Sequence, residues 1–192
     1  MEPLKVLCGV SARHLHLSQQ DLKILFGEDA ELTNMKDLNQ PGQFACDQKV
    51  DLVGPKNTIK NVRVLGPERK QTQIEVSLTD CVTLGIQAPI RDSGNLTGTG
   101  PITLKGPVGC VELKEGVIVA MRHVHLHPDE AAPYGIKDKD IIRVKTTDNP
   151  RSLIFDQVLA RVNPAYALEF HIDTDEANAS GLKSGDYVEI LK

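Results

Sequence analysis

Long apolar runs are missing from this 192-residue chain. None approaches the roughly 20 residues that span a bilayer, so no membrane partner is expected. The opening stretch MEPLKVLCGVSARHLHLS has neither an apolar h-region nor a small-residue cleavage site, which predicts cytoplasmic residence. Positive charge is not in excess either. The 22 Lys and Arg against 26 Asp and Glu leave a formal net charge of -4, with no basic field for a phosphate backbone, and nucleic acid is not expected as a partner. Cysteine is sparse: Cys8, Cys46, Cys81 and Cys110 form no CxxC pair and no dense framework, so they read as reduced, mostly buried small residues without disulfides. Walker A and dinucleotide-binding fingerprints are absent as well.

What is present points to a β protein. A hydrophobic content of 40% suffices for one large core or two small ones. Short runs rich in Val, Ile, Leu and Thr recur at 4–10, 50–53, 62–65, 72–77, 102–104, 116–121, 141–145, 153–162 and 187–191. Turn residues punctuate them, including Gly66-Pro67, Gly100-Pro101 and Gly106-Pro107. Helices are few and short. Ser18 with Asp21 predicts a capped helix running through Leu25 and stopping near Gly27, and Pro128-Asp129-Glu130 opens another. Residues 130–140 and the strand after them echo residues 176–186 and theirs, at a spacing of 46. The shared unit is a helical turn, a Gly-(Ile/Leu)-Lys step and an Asp leading into a strand, a unit suited to closed barrels. The fold class expected is mainly β: two small β-barrels of related ancestry capped by short α-helices.

The six histidines fall in three places: His14 and His16; His123, His125 and His127; and His171. In a strand, an HxH pair sets both imidazoles on one face, which is metal-ligand geometry. The pairs share a context, Arg13-His14-Leu15-His16-Leu17 and Arg122-His123-Val124-His125-Leu126, 109 residues apart. Two such pairs supply four neutral nitrogen donors, two short of a pair of three-ligand sites with a position left for substrate. The bland alternative is an echo of gene duplication with the rings hydrogen-bonded in a core.

Candidates for the missing ligands carry weaker signals. His171 lies in the strand-like run 167–173, where it faces either a cavity or a backbone partner. Glu75 alternates with apolar neighbours as in a one-sided strand, and solvent is the commoner direction for such a glutamate. Arg69 fits a surface charge more often than an anion clamp. His127 is read as a supporting or surface residue at a helix entry, since three ligands from one short strand would fan apart. The Gly-rich stretch 91–101, with Ser93 and Gly94, and Gly106-Pro107-Val108-Gly109 offer backbone N–H groups to phosphate oxygens, or are turn chemistry alone.

Taken together, residues 11–18, Gly66-Pro67-Glu68-Arg69 with Thr72-Gln73-Ile74-Glu75, Arg91-Asp92-Ser93-Gly94, Gly106-Pro107-Val108-Gly109 and Met121-Arg122-His123-Val124-His125 resemble the phosphate propanoyltransferases. These are the PduL-type phosphotransacylases of bacterial microcompartments, and the resemblance runs in order along essentially the whole chain. It implies reversible acyl transfer between coenzyme A and inorganic phosphate, with a short-chain acyl-CoA such as propanoyl- or acetyl-CoA as substrate and two zinc ions (Zn2+) per chain. It implies His14, His16 and Glu75 as ligands of one zinc, His123, His125 and His171 as ligands of the other, and Arg69 as the phosphate-binding residue. Ser93 and Gly94 are the expected contacts to coenzyme A. The family pattern also implies one barrel from 1–12 plus 121–192, a second from 13–120, and a homodimer. No N-terminal helical targeting extension of the microcompartment kind is seen, which speaks against shell association. Two rival readings use the same ligands: a dinuclear zinc hydrolase and a non-catalytic metal-binding barrel.

Overall fold

The computed structural model describes residues 3–147 and 149–191. In chain order its elements are β1 (Leu4–Ser11), β2 (His14–His16), α1 (Gln19–Phe26), β3 (Asn34–Asp37), β4 (Phe44–Val53), β5 (Thr58–Gly66), β6 (Gln73–Glu75) and α2 (Leu78–Leu84). Then follow β7 (Ile90–Arg91), β8 (Gly100–Lys105), β9 (Cys110–Ala120), β10 (His123–Leu126) and α3 (Pro128–Ala131) with a 3-10 turn (Ala132–Tyr134). The chain closes with β11 (Ile141–Thr146), β12 (Ile154–Val162), β13 (Glu169–Asp173), α4 (Thr174–Ser180) and β14 (Tyr187–Leu191). Among the described residues no helix is long and apolar enough to cross a membrane.

The chain divides into two compact units, one of Met1–Ser11, Asn39–Pro41 and Met121–Lys192, the other of Ala12–Leu38 and Gly42–Ala120. The first is a closed six-strand barrel in the order β1-β13-β10-β12-β11-β14, with β14 pairing back to β1. In the second, β4-β5-β2-β6-β9 is closed by β8, which pairs with both β9 and β4, while β3 and β7 lie off the ring. Both units are therefore mainly β barrels capped by short helices.

The two rings are the same ring. Each HxH strand has a parallel neighbour (β5 for β2, β12 for β10) and an antiparallel one (β6 for β2, β13 for β10). Beyond these, β6 runs parallel to β9 as β13 does to β1, and β8 antiparallel to β9 as β14 does to β1. The first strand of each sequence half thus closes the barrel made by the other half.

Period-two alternation decides which way each strand faces. Leu15, Leu17, Ile74 and Val76 join the fully buried core of one barrel, and Val124, Leu126, Phe170 and Ile172 that of the other. Burying such a side chain is worth about 1.5–3 kcal/mol, so the register is strongly fixed. The intervening histidines are consequently held on the opposite face of the wall.

Four strand–helix steps repeat one local design. The N-cap residue stands two positions past a histidine or glutamate of the preceding strand: Ser18 after His16, Ser77 after Glu75, His127 after His125 and Asp173 after His171. Ser18 Oγ accepts from the Asp21 amide at 3.1 Å and Asp173 from the Glu176 amide at 2.9 Å, satisfying N–H groups the helix leaves open. His127 is a cap as well, with Nδ1 accepting from the Asp129 amide at 3.2 Å. The 46-residue echo is geometric too: the Lys137 and Lys183 amides each donate at 2.8 Å to Asp140 and Asp186 before their strands.

Two local expectations change. Gly100-Pro101 does not break a strand but starts β8, because the register shift between Gly100 and Ile102 places the proline at a bulge, where its missing N–H is tolerated. The turn Gly106–Gly109 is no open anion nest. It presses on the end of α1: the Val108 amide donates to Leu25 O at 3.1 Å, and a Cβ on Gly106 would lie 2.4 Å from that same oxygen.

Candidate metal centres

Pairing register builds each centre as a two-by-two grid of side chains on one barrel face. On β2 and β6, His14 faces Glu75 and His16 faces Gln73. On β10 and β13, His123 faces His171 and His125 faces Glu169. In each grid three of the four residues bring one potential ligand atom within 4.8 Å of the others: His14, His16 and Glu75 in one, His123, His125 and His171 in the other. The expected ligand residues are thus brought together as two groups of three. His127 stands apart from both as a helix cap.

The first histidine of each pair is oriented alike. His14 Nδ1 donates to Ala12 O at 2.9 Å and His123 Nδ1 to Met121 O at 2.8 Å, which leaves Nε2 as the nitrogen that a metal would take. His14 Nε2 lies 3.5 Å from Glu75 Oε2. Around the other centre the rings crowd, with centroids 4.7 Å apart for His123 and His125, 5.0 Å for His123 and His171, and 4.9 Å for His125 and His171.

The second histidines are kept neutral. Burial, then the charges of Arg69 and His14, brings His16 down to about 3; burial, then His123, His171 and Arg161, brings His125 down to about 2. Three buried nitrogens, His16 Nδ1, His125 Nδ1 and His171 Nε2, have no aligned hydrogen-bond partner. A buried polar atom left in this way costs about 1–3 kcal/mol, and where the nitrogen presents its lone pair a cation would offset that cost. Uncharged imidazoles with one carboxylate form a donor set suited to zinc, so the residues fit the ion that the resemblance implied.

Beside the first centre the chain bends to supply an arginine. The Arg69 amide donates to Leu17 O at 2.9 Å, tying its backbone to the end of the HxH segment. Its Nη2 donates to His16 Nε2 at 2.9 Å and its Nη1 to Ser93 Oγ at 3.2 Å. Ser93 Oγ in turn donates to Glu75 Oε1 at 3.1 Å and accepts from Gln73 Nε2 at 2.8 Å, while the Gly94 amide donates to Gln73 Oε1 at 2.9 Å. Ser93 and Gly94 are therefore members of the network that holds Glu75 and Arg69.

Several further residues support the centres, and spacing in the chain does not reveal their partners. Arg161 donates to the Tyr166 hydroxyl at 3.1 Å, and the Tyr166 ring packs 4.4 Å from that of His125. Arg13 pairs with Asp80 at 2.7 Å and Arg122 with Glu176 at 2.6 Å, each arginine preceding its HxH pair and each acid being the third residue of the helix after the facing strand. Glu169 Oε2 lies 2.7 Å from His171 Nε2, out of line for a hydrogen bond, and accepts from Gln40 Nε2 at 2.9 Å. Burial pushes the Glu169 carboxyl up, but His171 and the Gln40 and Asn39 amides outweigh it and hold the group below the usual carboxylate range. Period two alone would have flagged Gln73 and Glu169, which stand two residues before Glu75 and His171.

Fold and centres together define a class: a duplicated double-barrel protein with one His-rich three-ligand group per barrel. The profile of the phosphate propanoyltransferase family matches residues 7–183. The chain is 55% identical to the phosphate propanoyltransferase of Thermotoga maritima over 97% of its own length and 89% of that protein's. It is 52% identical to that of Lachnoclostridium phytofermentans (95% and 85%) and 49% identical to that of Clostridioides difficile (95% and 87%). The chain belongs to the phosphate propanoyltransferase family.

Proposed function

We propose that the chain is a zinc-dependent phosphate acyltransferase, reversibly converting a short-chain acyl-CoA, propanoyl- or acetyl-CoA, and phosphate to acyl phosphate and CoA. One observation carries this reading: a guanidinium stands 2.9 Å from an imidazole of a three-ligand group. A centre that only activates water has no need of an anion receptor there. An arginine engages phosphate oxygens through planar paired donors and stays charged at any working pH.

His14, His16 and Glu75 would hold one zinc and His123, His125 and His171 the other, and such an ion supplies Lewis-acid charge for a thiolate or a phosphate oxygen. The chain's own residues do the positioning. Arg69 neutralises and orients the phosphate, whose oxygen attacks the thioester carbonyl; the C–O bond forms, the C–S bond breaks, and the electron pair leaves on sulfur. Ser93 fixes one guanidinium nitrogen of Arg69, so the phosphate meets a preset fork rather than a mobile side chain. Ser93 and Gly94 are assigned to the coenzyme A side of this turn. Three of the four cysteines are poorly placed to act as nucleophile: Cys8, Cys46 and Cys81 are buried, and burial pushes Cys8 up to about 12 and Cys46 to about 11. The enzyme is assigned to the cytoplasm as a homodimer.

The test is thiol release from acetyl-CoA and propanoyl-CoA, with and without phosphate, before and after chelation. Release is expected to require phosphate and to stop on chelation. The double variant His14→Ala/His16→Ala is expected to lose at least about 100-fold while staying soluble, since even outer partners of a metal ligand cost 10–100-fold. Phosphate-independent release identifies a hydrolase, and no turnover at full zinc loading identifies a binding barrel.

A further inference from the structure

We infer that Glu169 is a positioning residue for His171 and supplies the one negative charge of the His123–His125–His171 centre, with Gln40 and Gly9 shaped to hold it there. The inference rests on the metal-centre reading above and deepens it.

The two grids carry the same residues in exchanged places. In the first, the acid is the third group member, Glu75, and the neutral amide is its neighbour on the strand, Gln73, which donates to Glu75 Oε1 at 2.6 Å. In the second, the third member is His171 and the acid is the neighbour, Glu169, 2.7 Å from it. Each grid therefore holds two leading histidines, one acid and one partner that touches it. Against a divalent cation each centre carries the same net charge, although the anion is a ligand in one and stands beside a ligand in the other.

The surroundings of Glu169 show that its placement is built. It is not among the group whose ligand atoms lie within 4.8 Å of one another, so its carboxylate backs His171 rather than joining the donors. Gln40, which is itself buried, reaches it from the Asn39–Pro41 segment, donating to Glu169 Oε2 and to Ala167 O at 2.9 Å each and accepting from the Ala167 amide at 3.3 Å. On the other side Gly9 lies opposite His171 in register, and a Cβ there would come within 2.7 Å of Glu169 Oε1. A glycine leaves that oxygen room; alanine would push the carboxylate off its present line. Carboxylates behind metal-bound imidazoles orient the ring and raise its basicity, and their loss weakens the ion typically 10–100-fold.

The experiment uses the full chain, loaded with zinc or cobalt and titrated against a chromogenic chelator. Wild type is expected to hold two ions. Glu169→Gln is expected to keep one at wild-type affinity and to weaken the other about 10–100-fold, with the visible bands of only one of the two cobalt sites altered. Glu169→Asp is expected to restore part of the affinity, a rescue that a packing role alone would not give. Gly9→Ala and Gln40→Leu leave all six ligand residues in place and are expected to shift the same cobalt bands by a smaller amount, so the inference stands or falls even if Glu169→Gln folds poorly. Two ions held at wild-type affinity with unchanged bands across these variants overturn it. Fewer than two ions in the wild-type protein overturn the metal-centre reading itself.

Discussion

The two barrels solve one positional problem with different chemistry, and the contrast separates what the fold requires from what the reaction requires. Fold requirements are identical in both: an arginine before the HxH pair, an inward apolar residue between the histidines, a ligand strand two residues from a helix cap, and an acid in that helix facing the arginine. The chemical parts are not. One centre has a carboxylate in its group and Arg69 on its second histidine; the other is all imidazole, with Arg161 and Tyr166 around His125. Duplicated scaffolding with diverged side chains is what two ions in two different roles would need.

The largest expected break of this equivalence comes from acid. In metal-free protein His16 and His125 sit at about 3 and about 2 in the folded state against an ordinary value near 6.5. Between those limits the unfolded chain binds two protons that the native chain refuses, so stability is full above about pH 6.5 and falls as pH drops. The slope approaches about 1.4 kcal/mol per pH unit for each histidine, about 2.7 for both, between roughly pH 6 and 4. Urea unfolding of chelated protein across this range checks it. His16→Gln and His125→Gln are each expected to halve the slope, and loss of slope from only one of them would show that the two barrels do not share it.

Next in size is the arginine that only one centre owns. Arg69→Lys keeps a charge but loses the planar fork and its paired contacts to His16 and Ser93. The expected outcome is a KM for phosphate raised about 10–100-fold, with KM for acyl-CoA nearly unchanged, on the scale of losing a charge-assisted hydrogen bond of about 1.5–3 kcal/mol. Initial rates with each substrate varied separately measure the split. An equal rise in both constants would mean that Arg69 acts by holding the first centre together.

How much of this was legible in the chain follows from local periodicity. HxH in a β-rich context announces itself because two residues of spacing put both rings on one face. The helix after Ser18 was readable from its cap, yet the equivalent α2 was not, although Ser77 and Asp80 form a full capping box and Gly85 ends the helix in the left-handed region. Glu75 and His171 were poor candidates on spacing alone, since their partners lie tens of residues away and only pairing register brings them to the grid. The same holds for Gln40, more than a hundred residues from Glu169. The exchange of β1 and β9 between barrels is invisible to any local pattern, because a strand's sequence does not say which ring it closes.

The smallest expected effect probes the outer pairs that the two barrels share. Asp80 is buried, with a side chain 4% exposed, and Arg13 is its charged partner, itself 43% exposed. Removing the arginine strands a carboxylate in the wall, which for a fully buried pair costs 3–5 kcal/mol; the exposure of Arg13 brings the expectation for Arg13→Gln to about 2 kcal/mol. Glu176 has an alternative, because burial already pushes its carboxyl above the ordinary range despite Arg122, so it can take up a proton when the arginine is lost. Arg122→Gln is therefore expected to cost only about 1 kcal/mol at pH 8 and still less at pH 5, where the neutral acid is more populated. Urea midpoints of both variants at the two pH values measure the difference. An equal cost at pH 8 that persists at pH 5 in both would mean that the pairs act through shape, holding each HxH strand against its helix, rather than through charge.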